Sequence, residues 1–210
     1  MHMLCGALLG LLAMAAVATA QQQPLDAVQI VRQIAPAAAA ACPESNGECR
    51  TAEQAAPWIA RALLQHGVYS AGEMAAVIAH MAFESADFRY KHNVNPGRPG
   101  QGTANMQLAR YNLLYARHFD ALRDQVANIS SVDGQADGVL NHILSLVQPD
   151  EYNFGSGPWF LTTQCGRDVR ARLRADVDDG FGAFLRCVGV PLTEARRAYF
   201  ERAKKAFRLA

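Results

Sequence analysis

The chain has 210 residues, half of them hydrophobic and 19% charged, with a formal net charge of +1. That length suits one domain with a real core, or two only if both are small. Near-neutrality excludes a global field that would select nucleic acid or another polyanion, and no cofactor or metal is implied.

Residues 1–20 lack Lys, Arg, Asp and Glu. They carry an apolar run, Leu8 to Val17, followed by the small residues Ala18-Thr19-Ala20, and read as a signal peptide cleaved before Gln21. No later stretch approaches the ~20 apolar residues of a spanning helix, so a soluble, secreted, extracellular monomer with no membrane association is expected. Cys5 would leave with the leader. Cys42, Cys49, Cys165 and Cys187 remain, an even number in an oxidising compartment. Of the three pairings, the local ones, Cys42–Cys49 and Cys165–Cys187, are favoured. Zinc ligation is the rival reading, and no C-x2-C spacing supports it. From Cys165 onward there are 11 Arg and Lys against 6 Asp and Glu, so the C-terminal third is basic. A solvated helical face explains this more simply than an anionic target surface. Asn128-Ile129-Ser130 is a glycosylation sequon.

Residues 21–45 form a polar leader and then a helix or pro-segment, with Val28, Ile30, Val31 and Ile34 ahead of an alanine run. Thr51-x-x-Gln54 opens a helix as a capping box; Trp58, Ile59, Ala62 and Leu63 give it an apolar face, and Gly67 ends it. Ser70-x-x-Glu73 is a second capping box, followed by Met74, Val77, Ile78, Met81 and Ala82 at helical spacing. Pro96, Gly97, Pro99, Gly100 and Gly102 then predict a loop or short hairpin. Helical patterns resume over 104–119, 121–129, 135–147 and 168–178, and a last helix spans 193–209, capped by Thr193. A loop is predicted between Pro149 and Cys165. The sum is a mainly α (α+β) domain of irregular helices with a small β-hairpin and two disulfides.

Glu84 is the residue most suggestive of chemistry. It lies one turn beyond Met81, at the C-terminal end of its helix, on or beside the apolar face. Desolvation and the helix dipole would both disfavour its charge there and raise its pKa. A protonated carboxyl in an apolar cleft is what a general acid for glycoside cleavage requires. The plainer reading turns Glu84 out to water as the helix ends.

Three blocks follow in order: Glu84-Ser85, then Gly100 through Met106-Gln107, then Tyr152-Asn153-Phe154-Gly155. This ordered triple resembles the lysozyme-like superfamily, in particular soluble lytic transglycosylases and goose-type lysozymes, over roughly residues 70 to 160. By its leader and cysteines the chain resembles an extracellular fungal protein more than a bacterial wall remodeller. The resemblance implies a lysozyme-like helical domain over 46–210 with a hairpin flanking a sugar cleft. It makes Glu84 the catalytic acid/base, with Ser85, Met106, Gln107, Tyr152 and Asn153 binding substrate. The implied substrate is a β-1,4-linked amino-sugar polymer such as peptidoglycan, chitin or chitosan. The sequence departs from the family in a longer Pro/Gly loop, in Asn105 before Met106, and in the segment after Gly155.

Other candidates are weaker. Asp87, Asp133, Asp150 and Glu151 are possible second carboxylates. His80, one turn before Glu84, could tune it, although a core histidine is the commoner outcome. Trp159 and Phe160 could stack on a sugar or fill the core. Arg98 is a loop arginine. No H-E-x-x-H or G-x-S-x-G pattern occurs. The resulting expectation is a secreted glycan-cleaving enzyme, a glycoside hydrolase or lytic transglycosylase of the cell wall. The alternative is a non-catalytic glycan-binding or effector protein that keeps the cleft.

Overall fold

The computed structural model describes residues 25–209; the signal-peptide expectation lies outside them. Eleven α-helices occur among the described residues. α1 (Ala27–Ile34) starts at Asp26, whose carboxylate accepts from the backbone of Val28 and Gln29. It buries Ile30, Val31 and Ile34 against α2 (Ala52–Gln65) and the last helix. The predicted leader helix therefore belongs to the core. The Thr51 and Ser70 capping boxes are both present, opening α2 and α3 (Ala71–Glu84).

α3 is the centre of the molecule. Every residue from Ala75 to Ala82 is buried, as befits a helix apolar on all sides. It packs against α1, α8 (Ser156–Thr163), α9 (Arg167–Ala175), α10 (Val177–Val188) and α11 (Glu194–Ala206). A second cluster gathers Leu113 and Tyr115 of α4 (Ala109–His118), Leu122 of α5 (Asp120–Arg123), and Ile143, Leu144 and Val147 of α6 (Asp137–Val147), with Trp159 and Phe160 of α8. Both predicted disulfides form, Cys42–Cys49 and Cys165–Cys187. The second bonds the chain after α8 to α10, and its sulfurs pack against both clusters.

Several expectations need correction. The hairpin is absent among the described residues: the Pro/Gly loop makes only isolated bridges, His92 to Gly102 and Gly102 to Gln107. Pro96 and Pro99 have no N–H to give to a ladder, and the Asn93 side chain takes the Gly97 and Arg98 N–H groups. The helix expected over 121–129 shrinks to α5 and one 3-10 turn. The loop expected after Pro149 holds α7 (Asp150–Asn153) and α8. Small residues mask α8 in the sequence, yet they let it sit on α3: a Cβ on Gly157 would lie 2.7 Å from Met81 Sδ. The helix expected over 168–178 breaks at Asp176 into α9 and the start of α10, whose apolar pattern Gly180 and Gly182 dilute.

Candidate functional site: a polar cleft at the end of the central helix

α3 ends in a sharply turned segment. Ala86, Asp87 and Phe88 all have positive φ, at 51°, 59° and 63°, a conformation costing non-glycine residues roughly 1–2 kcal/mol each. Ser85 and Asp87 hold it. The Ser85 hydroxyl donates to the Met81 carbonyl (2.7 Å) and accepts from the Phe88 N–H (3.0 Å). The Asp87 carboxylate accepts from the Ala37 N–H (2.8 Å) and the Tyr199 hydroxyl (2.7 Å). Burial and the bond to Asp87 push the Tyr199 hydroxyl up to about 12. Both side chains are committed to this turn, so Asp87 does not serve as a second cleft carboxylate.

Glu84 thereby projects between two hollows of about 240 Å³ each. One is walled by His80, Gln101, Asn105, Arg110, Tyr111 and Phe160; the other by Tyr90, His92, Asn93 and Val94. Met106 lines both. Gln107 also faces the first hollow, but its amide donates to Asn112 (2.9 Å). The fully buried Asn112 in turn donates to the Gly100 carbonyl (2.8 Å). Asn112 fixes the loop wall and carried no signal in the sequence beyond its place in a helix.

The chemistry at Glu84 differs from that expected. Arg196 of α11 donates to its carboxylate at 2.7 Å, while the guanidinium lies over the Phe83 ring, 4.5 Å from the centroid. Glu84 is thus one half of an ion pair, where the sequence predicted apolar surroundings. Arg196 comes from 112 residues away, and nothing in the sequence linked the two. His80 Nδ1 stands 3.9 Å from Glu84, beyond hydrogen-bonding reach. Burial depresses His80 to about 4, with Glu84 opposing and Arg196 adding to the shift, so the ring is neutral. Its edge meets Phe184, centroids 5.5 Å apart.

Four buried polar atoms here have no hydrogen-bond partner in the protein: His80 Nδ1, Gln101 Oε1, Asn105 Oδ1 and Arg196 Nε. The first three belong to cleft-lining residues and the fourth to the arginine holding Glu84. A buried polar atom left unmet costs about 1–3 kcal/mol.

The other predicted residues are elsewhere. Tyr152 lines a separate hollow with Trp58, Arg61 and Phe119, and its backbone carbonyl accepts from the Tyr115 hydroxyl (2.9 Å). Asn153 is buried below it, its carbonyl accepting from the Ser156 hydroxyl (2.8 Å). Asp150 binds Lys91 (2.6 Å) and Arg50 (2.7 Å), tying the foot of the Pro/Gly loop to α7. Trp159 is buried in the second cluster, whereas Phe160 reaches the cleft. Asn128 and Asp133 are exposed. Among the described residues, no three His, Cys, Asp or Glu side chains gather where they could hold a metal ion, and no helix is long and apolar enough to cross a membrane.

No family model and no solved structure matches the chain. A curated protein of Fusarium oxysporum (strain Fo5176), named bifunctional dioxygenase (DOX)-epoxy alcohol synthase (EAS), is 54% identical over 157 residues. These are 74% of this chain and 12% of that protein, so the chain spans about an eighth of its curated relative. That name overturns the glycan-cleaving, cell-wall function expected from the motifs, along with its glycan-binding alternative. What the chain shares with this relative is a stretch of sequence within a much longer bifunctional protein.

Proposed function

We propose that the chain is a ligand-binding module that works beside oxygenase chemistry, and that its cleft takes an oxygenated, partly apolar organic molecule. The observation that carries this reading is the set of four buried polar atoms around one cleft with no partner in the protein. They call for a molecule that both donates and accepts hydrogen bonds. Gln101 Oε1 and Asn105 Oδ1 offer acceptors, Arg98 and Arg110 offer donors, and Tyr111, Phe160, Val188 and Val190 supply apolar wall. The backbone strain beside Glu84 fits a site whose geometry is held for a purpose.

The relative's name supplies the chemical class. An epoxy alcohol carries a hydroxyl that donates and accepts and an ether oxygen that accepts, on a carbon frame. The name also supports an enzymatic setting. The reading itself assigns binding to this chain, with Glu84, Met106 and Gln107 as cleft residues and Ser85 as the residue that positions Glu84. Secretion belongs to the proposal too, supported by two disulfides, which persist in oxidising compartments. The lysozyme-like resemblance enters only as a statement about the helical frame.

The test is calorimetric titration of the protein with a short epoxy alcohol, the corresponding alkane and an amino-sugar oligomer. The epoxy alcohol should bind and the alkane should not. Glu84→Gln and Gln101→Leu should each weaken binding about tenfold, the effect of about 1.4 kcal/mol. Binding of the amino-sugar oligomer without the epoxy alcohol would overturn the reading.

A further inference from the structure

A second hollow lies between α1, α2 and α3 and shares no lining residue with the Glu84 cleft. Its volume is about 240 Å³ and its side chains are all hydrocarbon or thioether, among them Ile30, Ile59, Leu63, Met74, Ile78 and Phe207. Apolar cavities of about 150 Å³ already stay dry and take up benzene. At this one's lip, Leu25 and Leu64 are exposed to 49% and 64%.

An adjoining hollow shares Leu25 and Ile30 as its wall. The rest of its lining is polar or charged: Asp26, Gln29, Gln33, Lys205 and Arg208, with Ala206. The Asp26 carboxylate is engaged in capping α1. Lys204 is bound to Asp178 (2.8 Å) and Glu201 (2.9 Å). The exposed Lys205 has no ion-pair partner of that kind among the described residues. The final carbonyls of α11 are also occupied: Lys204 O accepts from the Leu209 N–H (2.8 Å) and Lys205 O from the Arg208 N–H (3.1 Å). The negative pole of the helix is therefore partly satisfied beside these cations.

We infer that the two hollows form one site for a single-chain amphiphile with an anionic head. The alkyl tail lies among α1, α2 and α3, and the head meets Lys205. Charge complementarity at the lip selects this occupant over a neutral or cationic one. The inference does not rest on the cleft reading, because the two sites are separate and can fail independently.

The experiment titrates the full chain with decanoate, decanol and decyltrimethylammonium below their micellar concentrations, followed by calorimetry and amide NMR shifts. Decanoate should bind at one site. Decanol should bind about fivefold more weakly and the ammonium more weakly still. Lys205→Glu, at an exposed position, should weaken decanoate about tenfold and leave decanol unchanged. Ala60→Trp should fill the tail pocket and abolish both, and should that variant not fold, Lys205→Glu still decides. Absence of saturable decanoate binding, equal affinity for the three heads, or indifference of decanoate to Lys205→Glu would each overturn the inference. So would NMR contacts showing residues before Leu25 seated in the groove.

Discussion

Replacing Gly180 by Ala should destabilise the protein even though it improves the helix. Gly180 lies inside α10, where alanine is favoured over glycine by about 1 kcal/mol. A Cβ built there would stand 2.5 Å from Leu173 Cα and 2.8 Å from the Arg172 carbonyl carbon, and nearer still to the Leu173 nitrogen. All three atoms are backbone, so no rotamer change can relieve the contact. α9 and α10 are separated only by Asp176, which restricts sliding. Gly72 of α3 meets the Leu173 carbonyl from another side, so α9 is gripped between two glycines and cannot retreat. Overpacking of this kind costs about 1–3 kcal/mol, and backbone contacts this close point to the upper end, leaving a net loss of about 2 kcal/mol. Gly182, two residues on, is the internal control. Its Cβ would meet nothing nearer than Arg186 Nη1 at 3.5 Å, so Gly182→Ala should gain about 0.5–1 kcal/mol. At roughly 2–4 °C per kcal/mol for a chain this size, thermal unfolding by circular dichroism should separate the two variants by sign. Equal stabilisation by both would refute the argument that a close approach of helix backbones fixes this part of the fold.

Three further outcomes follow from buried charges and the cross-link. Glu73 is 1% exposed and is bound by Arg170 (2.6 Å) and Arg174 (3.0 Å). Burial alone would raise its carboxyl, but the bonds from Arg170, Ser70 and Arg174 outweigh it and lower the pKa. Its contribution is therefore present above the ordinary glutamate range and lost as pH falls through the lowered value. Glu73→Gln should cost about 2–3 kcal/mol at pH 7, below the range for a fully enclosed pair because the arginines reach solvent; denaturant unfolding should show a flatter acid limb. His80, held neutral by burial with a pKa of about 4, favours folding above its unfolded value of about 6.5 and loses that advantage as pH falls towards 4. Wild type should lose roughly 2–3 kcal/mol between pH 7 and pH 4.5 from this group, and His80→Gln should lose correspondingly less. Opening Cys165–Cys187 by paired serine substitution frees a loop with a sequence separation of 22 and should cost about 3 kcal/mol. Opening Cys42–Cys49, separation 7, should cost less in the same calorimetric comparison.

The local signals were legible from the chain. Capping boxes at Thr51 and Ser70 act within one helical turn, and the structure shows both. The 3.6-residue apolar pattern of α3 announced a helix, and local cysteine spacing favoured the correct disulfides. Where local rules and packing diverged, packing prevailed. Gly157 of α8 and Gly180 of α10 are points where neighbouring helices come close, and only the identity of the neighbour shows why they are tolerated.

The candidate site divides the same way. Helical spacing placed Glu84 at the end of α3, and the lysozyme-like resemblance implied Met106 and Gln107 beside it; all three line one cleft. It could not place Arg196, which reaches Glu84 from the last helix, nor the commitment of Ser85 and Asp87 to a left-handed turn. A carboxylate's charge state depends on what approaches it in space. The sequence by itself determined where the capped helices α2, α3 and α11 start and which residues could carry charge; the tertiary structure decided the partners of that charge, because Coulomb and hydrogen-bond energies depend on distances that chain position does not set.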